Sequence, residues 1–171
     1  MLKIRATTRD DVPVLLSLIR ELAKYEKKPH KAVVTQDDLL RDGFGPQQKF
    51  RALIATWEQE PAGYASFFYF YSTFQGRPAL FLEDLFVLDK FRGKGIGKTL
   101  LAAVARLAIE EECYGLRWEV LDWNRPAIEF YEKLGATFLN ERRAVAFDEG
   151  ALRRVAEGYS PQSHRDTEKL K

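Results

Sequence analysis

Phe81-Leu82-Glu83-Asp84-Leu85-Phe86-Val87-Leu88 runs through Asp89-Lys90-Phe91 into Arg92-Gly93-Lys94-Gly95-Ile96-Gly97-Lys98-Thr99, and this stretch decides the fold. The first eight residues read as a strand. After the glycines, Ile96, Leu100, Leu101, Val104, Leu107 and Ala108 recur at helical spacing and mark an amphipathic helix. A Gly-rich turn between a strand and a helix N-terminus is an anion site. The first N–H groups of the helix lack intrahelical acceptors, and the peptide dipoles place partial positive charge there. Gly93, Gly95 and Gly97 remove side chains that would hold a phosphate away, and Lys90, Arg92, Lys94 and Lys98 add charge around the turn.

The spacing excludes the two commonest phosphate loops. A P-loop needs four residues between its first Gly and Gly-Lys-Thr, but only three separate Gly93 from Gly97-Lys98-Thr99, and Arg92 occupies the required Gly position. The dinucleotide pattern G-x-G-x-x-G needs glycine where Lys98 stands. A nucleotide phosphotransferase is therefore disfavoured.

Composition sets broader bounds. The chain of 171 residues is 46% hydrophobic and 13% aromatic, which fits one packed domain of residues 1–157 followed by a polar tail, 158–171. A net charge of +2 gives no case for a nucleic-acid partner. The single Cys113 excludes an internal disulfide and fits a reducing compartment. With no signal pattern or membrane-length apolar run, the expectation is a cytoplasmic protein without membrane contact. His30 and His164 read as surface residues, and no metal-ligand cluster is visible.

Along the chain, Leu2–Ala6 reads as a strand and Thr7–Tyr25 as a helix burying Leu15, Ile19, Leu22 and Ala23. Thr8 with Asp11, and Thr35 with Asp38, resemble capping boxes, the second before a short helix ending at Gly43. Strands are expected over 50–57 and 64–71, with Glu60-Pro61 in a turn between them and Gln75-Gly76 in the next. Strands at 116–121 and 144–147 flank a helix at 126–134 ended by Gly135, and a last helix is expected over 149–157. The result is an α/β (α+β) fold: a mixed, mostly antiparallel central sheet flanked by helices on both faces.

Glu83-Asp84 interrupts an otherwise apolar strand. Adjacent strand residues point to opposite faces, and a buried strand rarely carries two carboxylates, so they read as the acidic end of a cleft. Acid at one end and base at the other suit a cationic amine and a phosphate. An alkylammonium with a pKa near ~10.4 needs about 4.6 kcal/mol to deprotonate at neutral pH, so a general base helps. Glu83 is the candidate base and Asp84 the amine-holding charge, and the two roles are interchangeable at this level.

Trp123-Asn124-Arg125-Pro126 opens the later helix, where Asn124 can cap and Pro126 suits the first turn. Asn124-Arg125-Pro126-Ala127-Ile128-Glu129-Phe130-Tyr131, with Gly135-Ala136 beyond and Arg92-Gly93-Lys94-Gly95-Ile96-Gly97 upstream, resembles the acetyl-CoA motifs of the GNAT superfamily of N-acetyltransferases. Leu18–Glu26, Asp42–Gly45, Tyr71–Phe74, Leu82–Asp84 and Leu121–Asn124 resemble its diamine acetyltransferase branch, which includes spermidine/spermine and thialysine acetyltransferases. The resemblance implies an acetyl-CoA-dependent transferase acting on a primary amine of a small diamine, polyamine or lysine-like substrate by direct attack in a ternary complex. The alternatives are a non-catalytic acyl-CoA-binding or sensing module and a protein or peptide N-acetyltransferase.

At matched positions the resemblance gives cofactor contacts to Phe86, Val87, Arg92, Gly93, Lys94, Gly95, Ile96, Gly97, Lys98, Thr99, Asn124 and Tyr131. It gives catalysis to Glu83 and Tyr131, and the substrate pocket to Tyr25, Glu26 and Asp84. It also implies a homodimer whose sites draw on both chains. Arg142 and Arg143 stand where the polyamine enzymes carry acids and a tryptophan, which disfavours a polycation and admits a carboxylate-bearing amine.

Overall fold

The apolar runs on either side of Gln75-Gly76 form the long central hairpin of a five-stranded sheet: β1 (Leu2–Ala6), β2 (Arg51–Trp57), β3 (Glu60–Ser72), β4 (Arg77–Val87) and β5 (Leu116–Trp118), in that spatial order. The first three pairings are antiparallel and β4 with β5 is parallel, giving the mixed, mostly antiparallel sheet of the expectation. The computed structural model describes residues 1–139, 141 and 144–158. They fall into two compact units, Met1–Leu121 and the described residues from Asp122 onward.

In the first unit α1 (Val12–Tyr25), α2 (Gln36–Phe44) and α3 (Ile96–Glu110) cover the sheet. Strand alternation assigns the faces. Ala52, Ile54, Tyr64 and Phe86 meet Val12, Leu15, Leu16 and Leu18 of α1 and Leu39 of α2 in one core. The opposite pleat positions, among them Leu53, Ala65, Phe67, Leu80 and Leu82, are buried on the α3 side, where Ile96, Leu100, Leu101, Val104 and Ala108 supply the buried helix stripe. Thr35 and Asp38 form a complete capping box, Thr35 N–H to Asp38 Oδ2 at 3.0 Å and Asp38 N–H to Thr35 Oγ1 at 3.2 Å. Thr8 N–H donates to Asp11 Oδ2 at 2.7 Å, and Arg5 grips the same carboxylate with two nitrogens, which fixes β1 to the start of α1.

Several expectations are corrected. The core stripe of α1 is Val12, Leu15, Leu16 and Leu18, whereas Ile19 and Leu22 are only partly buried. Glu60-Pro61 opens β3 instead of forming the turn. Glu58 and Gln59 turn the chain, both at positive φ (51° and 71°), as a two-residue hairpin loop requires. Pro61 is tolerated because the β2–β3 register shifts beside it, at Ala55/Thr56. β5 ends at Trp118 rather than Leu121, its pairing with β4 stopping at Leu82. The second unit holds α4 (Arg125–Lys133) and α5 (Glu149–Gly158). The strand expected at 144–147 does not form among the described residues: Val145 and Phe147 are exposed and pair with no strand. Arg142, Arg143 and the tail beyond Gly158 lie outside the described residues.

Candidate functional site

β4 passes through a 3-10 turn at Asp89–Phe91 into the glycine turn. Gly93 and Gly95 adopt φ of 75° and 77°, which L side chains resist, and Gly95 is the N-cap of α3. A Cβ at either glycine would meet no atom within 4 Å, so the turn faces open space. The first bond of the helical ladder is Thr99 N–H to Gly95 O at 3.0 Å, and Thr99 Oγ1 donates to the same carbonyl. The N–H groups of Ile96, Gly97 and Lys98 therefore precede the ladder.

Around this turn Arg92 donates from Nε to Val87 O at 3.2 Å, pairs with Asp89, and lays its guanidinium 4.5 Å from the Tyr25 ring centroid. Lys94 sits over the Trp57 ring at 4.8 Å, and Lys98 is exposed. Lys90 is drawn away to Glu60.

At the other end of the same segment, Ser66 pairs with Asp84 and Phe67 with Leu82, which leaves Glu83 as the extra residue of a β-bulge. A bulge bends its strand and interrupts the ladder, and the β4–β5 pairing ends at this point, with Leu82 opposite Trp118. From Glu83 to Val87 the β5 side of β4 is an edge without a strand partner among the described residues. The Phe86 side chain is buried beside Tyr64 and Tyr25, so what Phe86 offers at this edge is backbone.

The bulge also sorts the carboxylates. Asp84 shares a face with Tyr64, Ser66 and Phe86, and accepts a hydrogen bond from Ser66 Oγ at 2.7 Å. Tyr64 is fully buried, and its hydroxyl makes no hydrogen bond of good geometry. Burial first, then the charges of Asp84, Glu26 and Glu83, pushes the Tyr64 phenol up. Burial likewise raises the Asp84 carboxyl against the lowering effect of Ser66 and Tyr64. Glu83 is exposed at the bulge, yet partial desolvation and the neighbouring Asp84, Glu119 and Glu26 raise it too. Glu26 caps the C-terminal end of α1, where the helix dipole is already negative. The negative charge gathered around Asp84 would suit a cation better than an anion.

Glu26 and Asp84 line a cavity of about 300 Å³ whose apolar wall is Ile19, Leu22 and Ala23. Of the expected pocket residues, Glu26 and Asp84 meet there, while Tyr25 lies under Arg92 toward the glycine turn. Tyr64, Ser66 and the cavity wall were missed from sequence. The one signal available was a hydroxyl residue, Ser66, set in an aromatic strand.

A carboxyl with a raised native pKa holds its proton more tightly folded than unfolded. Its contribution favours the native state at low pH and is lost as pH climbs through the native value. Asp84→Asn keeps an acceptor for Ser66 and removes the half-buried charge. Denaturant titration should show it more stable than the parent at about pH 8 by ~0.5–2 kcal/mol, the gain disappearing toward about pH 4.

In the second unit Asn124 Oδ1 accepts from Ala127 N–H at 3.4 Å and caps α4, with Pro126 in the first turn. Gly135, at φ 81°, ends the helix and returns Ala136 N–H to Tyr131 O at 3.1 Å. Tyr131 is buried, and burial pushes its phenol up to about 12. Such a hydroxyl stays protonated at neutral pH and can donate.

Elsewhere, His30 is exposed in a 3-10 turn, Cys113 is half-buried just after α3, and no metal-binding cluster occurs among the described residues. No helix among them is long and apolar enough to cross a membrane.

The model of the Acetyltransferase (GNAT) family matches residues 15–136. Thialysine N-epsilon-acetyltransferase of Mus musculus is 34% identical over 165 residues, covering 90% of this chain and 96% of that protein. Spermidine/spermine N(1)-acetyltransferase-like protein 1 of Homo sapiens is 35% identical over 81% of this chain and 21% of its own length. Among solved structures, an integron cassette protein from the V. cholerae mobile metagenome superposes with a TM-score of 0.78 at 25% identity, covering 91% of this chain and 98% of that one.

Proposed function

The chain belongs to the acetyltransferase (GNAT) family, and from that premise we propose that it transfers acetyl from acetyl-CoA to a primary amine of a small diamine, polyamine or lysine-like substrate, by direct attack in a ternary complex. The observation that carries this is the bare edge of β4, with an open anion turn beyond one end and a cluster of carboxylates at the other.

The residues fit the cofactor. The glycine turn presents free N–H groups into open space, with Arg92, Lys94 and Lys98 around it, which suits a diphosphate. The backbone of Phe86 and Val87 can take up the pantetheine arm and the acetyl carbonyl along the unpaired edge, and Thr99 and Asn124 complete the set. When bound, acetyl-CoA supplies an activated acyl thioester. Asp84 and Glu26 hold the incoming ammonium by charge.

Glu83 takes one proton from the ammonium, directly or through a water, which frees the nitrogen to attack. The second proton, shed once the C–N bond forms, replaces the one that Tyr131 gives to sulfur. The raised pKa of Glu83 narrows the gap to the amine and makes it a stronger base than an ordinary carboxylate. Tyr131 Oη gives up a proton to the sulfur as the C–S bond breaks and the C–N bond forms. A cytoplasmic setting fits the lone Cys113, and a homodimer fits the exposed Tyr71 and Phe74 at the tip of the β3–β4 hairpin.

Incubation with acetyl-CoA and a panel of polyamines, lysine analogues and amino acids, followed by thiol release and product mass, tests the proposal. Acetylated amine is the expected result. Silence across the panel, with CoA still bound, would leave only a CoA-binding module. For the turn, Gly95→Ala introduces a side chain at φ 77° and should weaken CoA binding in calorimetry by about tenfold or more, with a local strain cost of ~1–2 kcal/mol.

A further inference from the structure

Tyr64 is fully buried on the α1 face of the sheet, its ring 6.4 Å from that of Phe86 within the core that includes Val12, Leu15 and Leu18. Its hydroxyl is sealed from solvent without a hydrogen bond among the described residues. A phenylalanine would fill the same space without burying an unpaired oxygen, so packing does not account for the hydroxyl. The acceptor that the register places beside it is Asp84. Tyr64 pairs with Phe86 and Ser66 with Asp84, all on one face, and the Tyr64 and Asp84 side chains are close enough for each to act on the other's proton. Asp84 Oδ2 accepts from Ser66 Oγ at 2.7 Å, which leaves Oδ1 for a second donor. Asp84 lines the cavity, whereas Ser66 and Tyr64 are buried behind it.

We propose that Tyr64 is a positioning residue for the amine site: when the acceptor's ammonium reaches Asp84, the phenol donates to Oδ1 as Ser66 already does to Oδ2, and the two donors fix the carboxylate toward the cavity. The proposal rests on the acetyltransferase reading above, in which Asp84 receives the ammonium, and adds the support behind it. A carboxylate loses rotational freedom when it pairs with a cation, and donors at its back impose that orientation in advance. Ser66 and Tyr64 are also the two groups that favour the charged form of Asp84 against the burial that opposes it. The phenol suits the task in turn. Burial and the charges of Asp84, Glu26 and Glu83 keep it protonated, so it offers a proton and no competing negative charge.

The test is Tyr64→Phe, with spermidine, putrescine and lysine as acceptors under saturating acetyl-CoA and the one that the parent uses fastest carried forward. KM for that amine should rise about tenfold, while kcat and the calorimetric dissociation constant for CoA stay within about twofold. The denaturation midpoint should hold or rise, since the one atom lost is an unpaired buried oxygen. In an Asp84→Asn background the same change should have no further effect on KM, because the charge it positions is gone. A merely structural role does not predict that silence. Ser66→Ala, at the other donor, should show the same loss through KM and the same silence behind Asp84→Asn. An unchanged KM in Tyr64→Phe, an equal rise with Asp84 already replaced, or kcat and CoA binding failing along with KM overturns the positioning role and leaves the acetyltransferase reading intact. Acetylation of none of the three amines overturns both.

Discussion

Tyr131→Phe should lower turnover on a primary amine by about a hundredfold or more while leaving the dissociation constant for CoA within about twofold of the parent. The phenol is buried and its pKa is pushed up to about 12, so the proton is present throughout the working range. Removing one oxygen deletes the donor and keeps the ring that packs at 5.2 Å from Phe130. A loss confined to kcat separates proton donation to sulfur from cofactor binding. Single-turnover thiol release beside calorimetric CoA binding makes the comparison. If both constants weaken together, Tyr131 is part of the binding surface and not the acid.

Glu83→Gln should lower kcat/KM by about a hundredfold near neutral pH and remove the lower limb of the pH–rate profile. The sign follows from the proposed role. The carboxylate is the active form, so the rate rises with pH as Glu83 loses its proton. Partial desolvation, then Asp84, Glu119 and Glu26, raise its pKa, so this limb lies above the ordinary carboxylate range. The acceptor amine also gains reactivity as it deprotonates, but only toward ~10.4. The Gln variant should retain that upper rise and lose the lower one. A profile with its lower limb unchanged assigns the base to another group, with Asp84 the next carboxylate in reach.

The phosphate end of the site was legible because it is local. Glycine at 93 and 95 answers a backbone need within a few residues, and the structure puts both at positive φ. The capping residues Thr35 and Asn124 were legible for the same reason. Glu83 and Asp84 stood out as charges in an apolar strand, but the device that separates them is the β3–β4 register shift at Ser66/Phe67, which belongs to two strands and not to either alone. That register also puts Ser66 and Tyr64 on the same face as Asp84.

Ile19, Leu22 and Ala23 were assigned to the core because their spacing is that of a buried stripe. Ile19 and Leu22 do pack against that core while partly buried, and together with Ala23 they also wall the cavity. Periodicity reports that a face is covered, not whether protein or ligand covers it. The expected strand at 144–147 failed similarly: its alternation is real, but a strand needs a neighbour for its N–H and C=O groups, and Val145 and Phe147 have none among the described residues.

The central claim is that the cofactor's diphosphate rests on the start of α3 with its acyl arm along the β4 edge. A crystal structure of the CoA complex tests this most directly. The account predicts diphosphate oxygens accepting hydrogen bonds from the Ile96, Gly97 and Lys98 N–H groups, and the arm hydrogen-bonded to the backbone at Phe86 and Val87. A diphosphate bound away from the glycine turn, or a β4 edge closed to the arm, would contradict it.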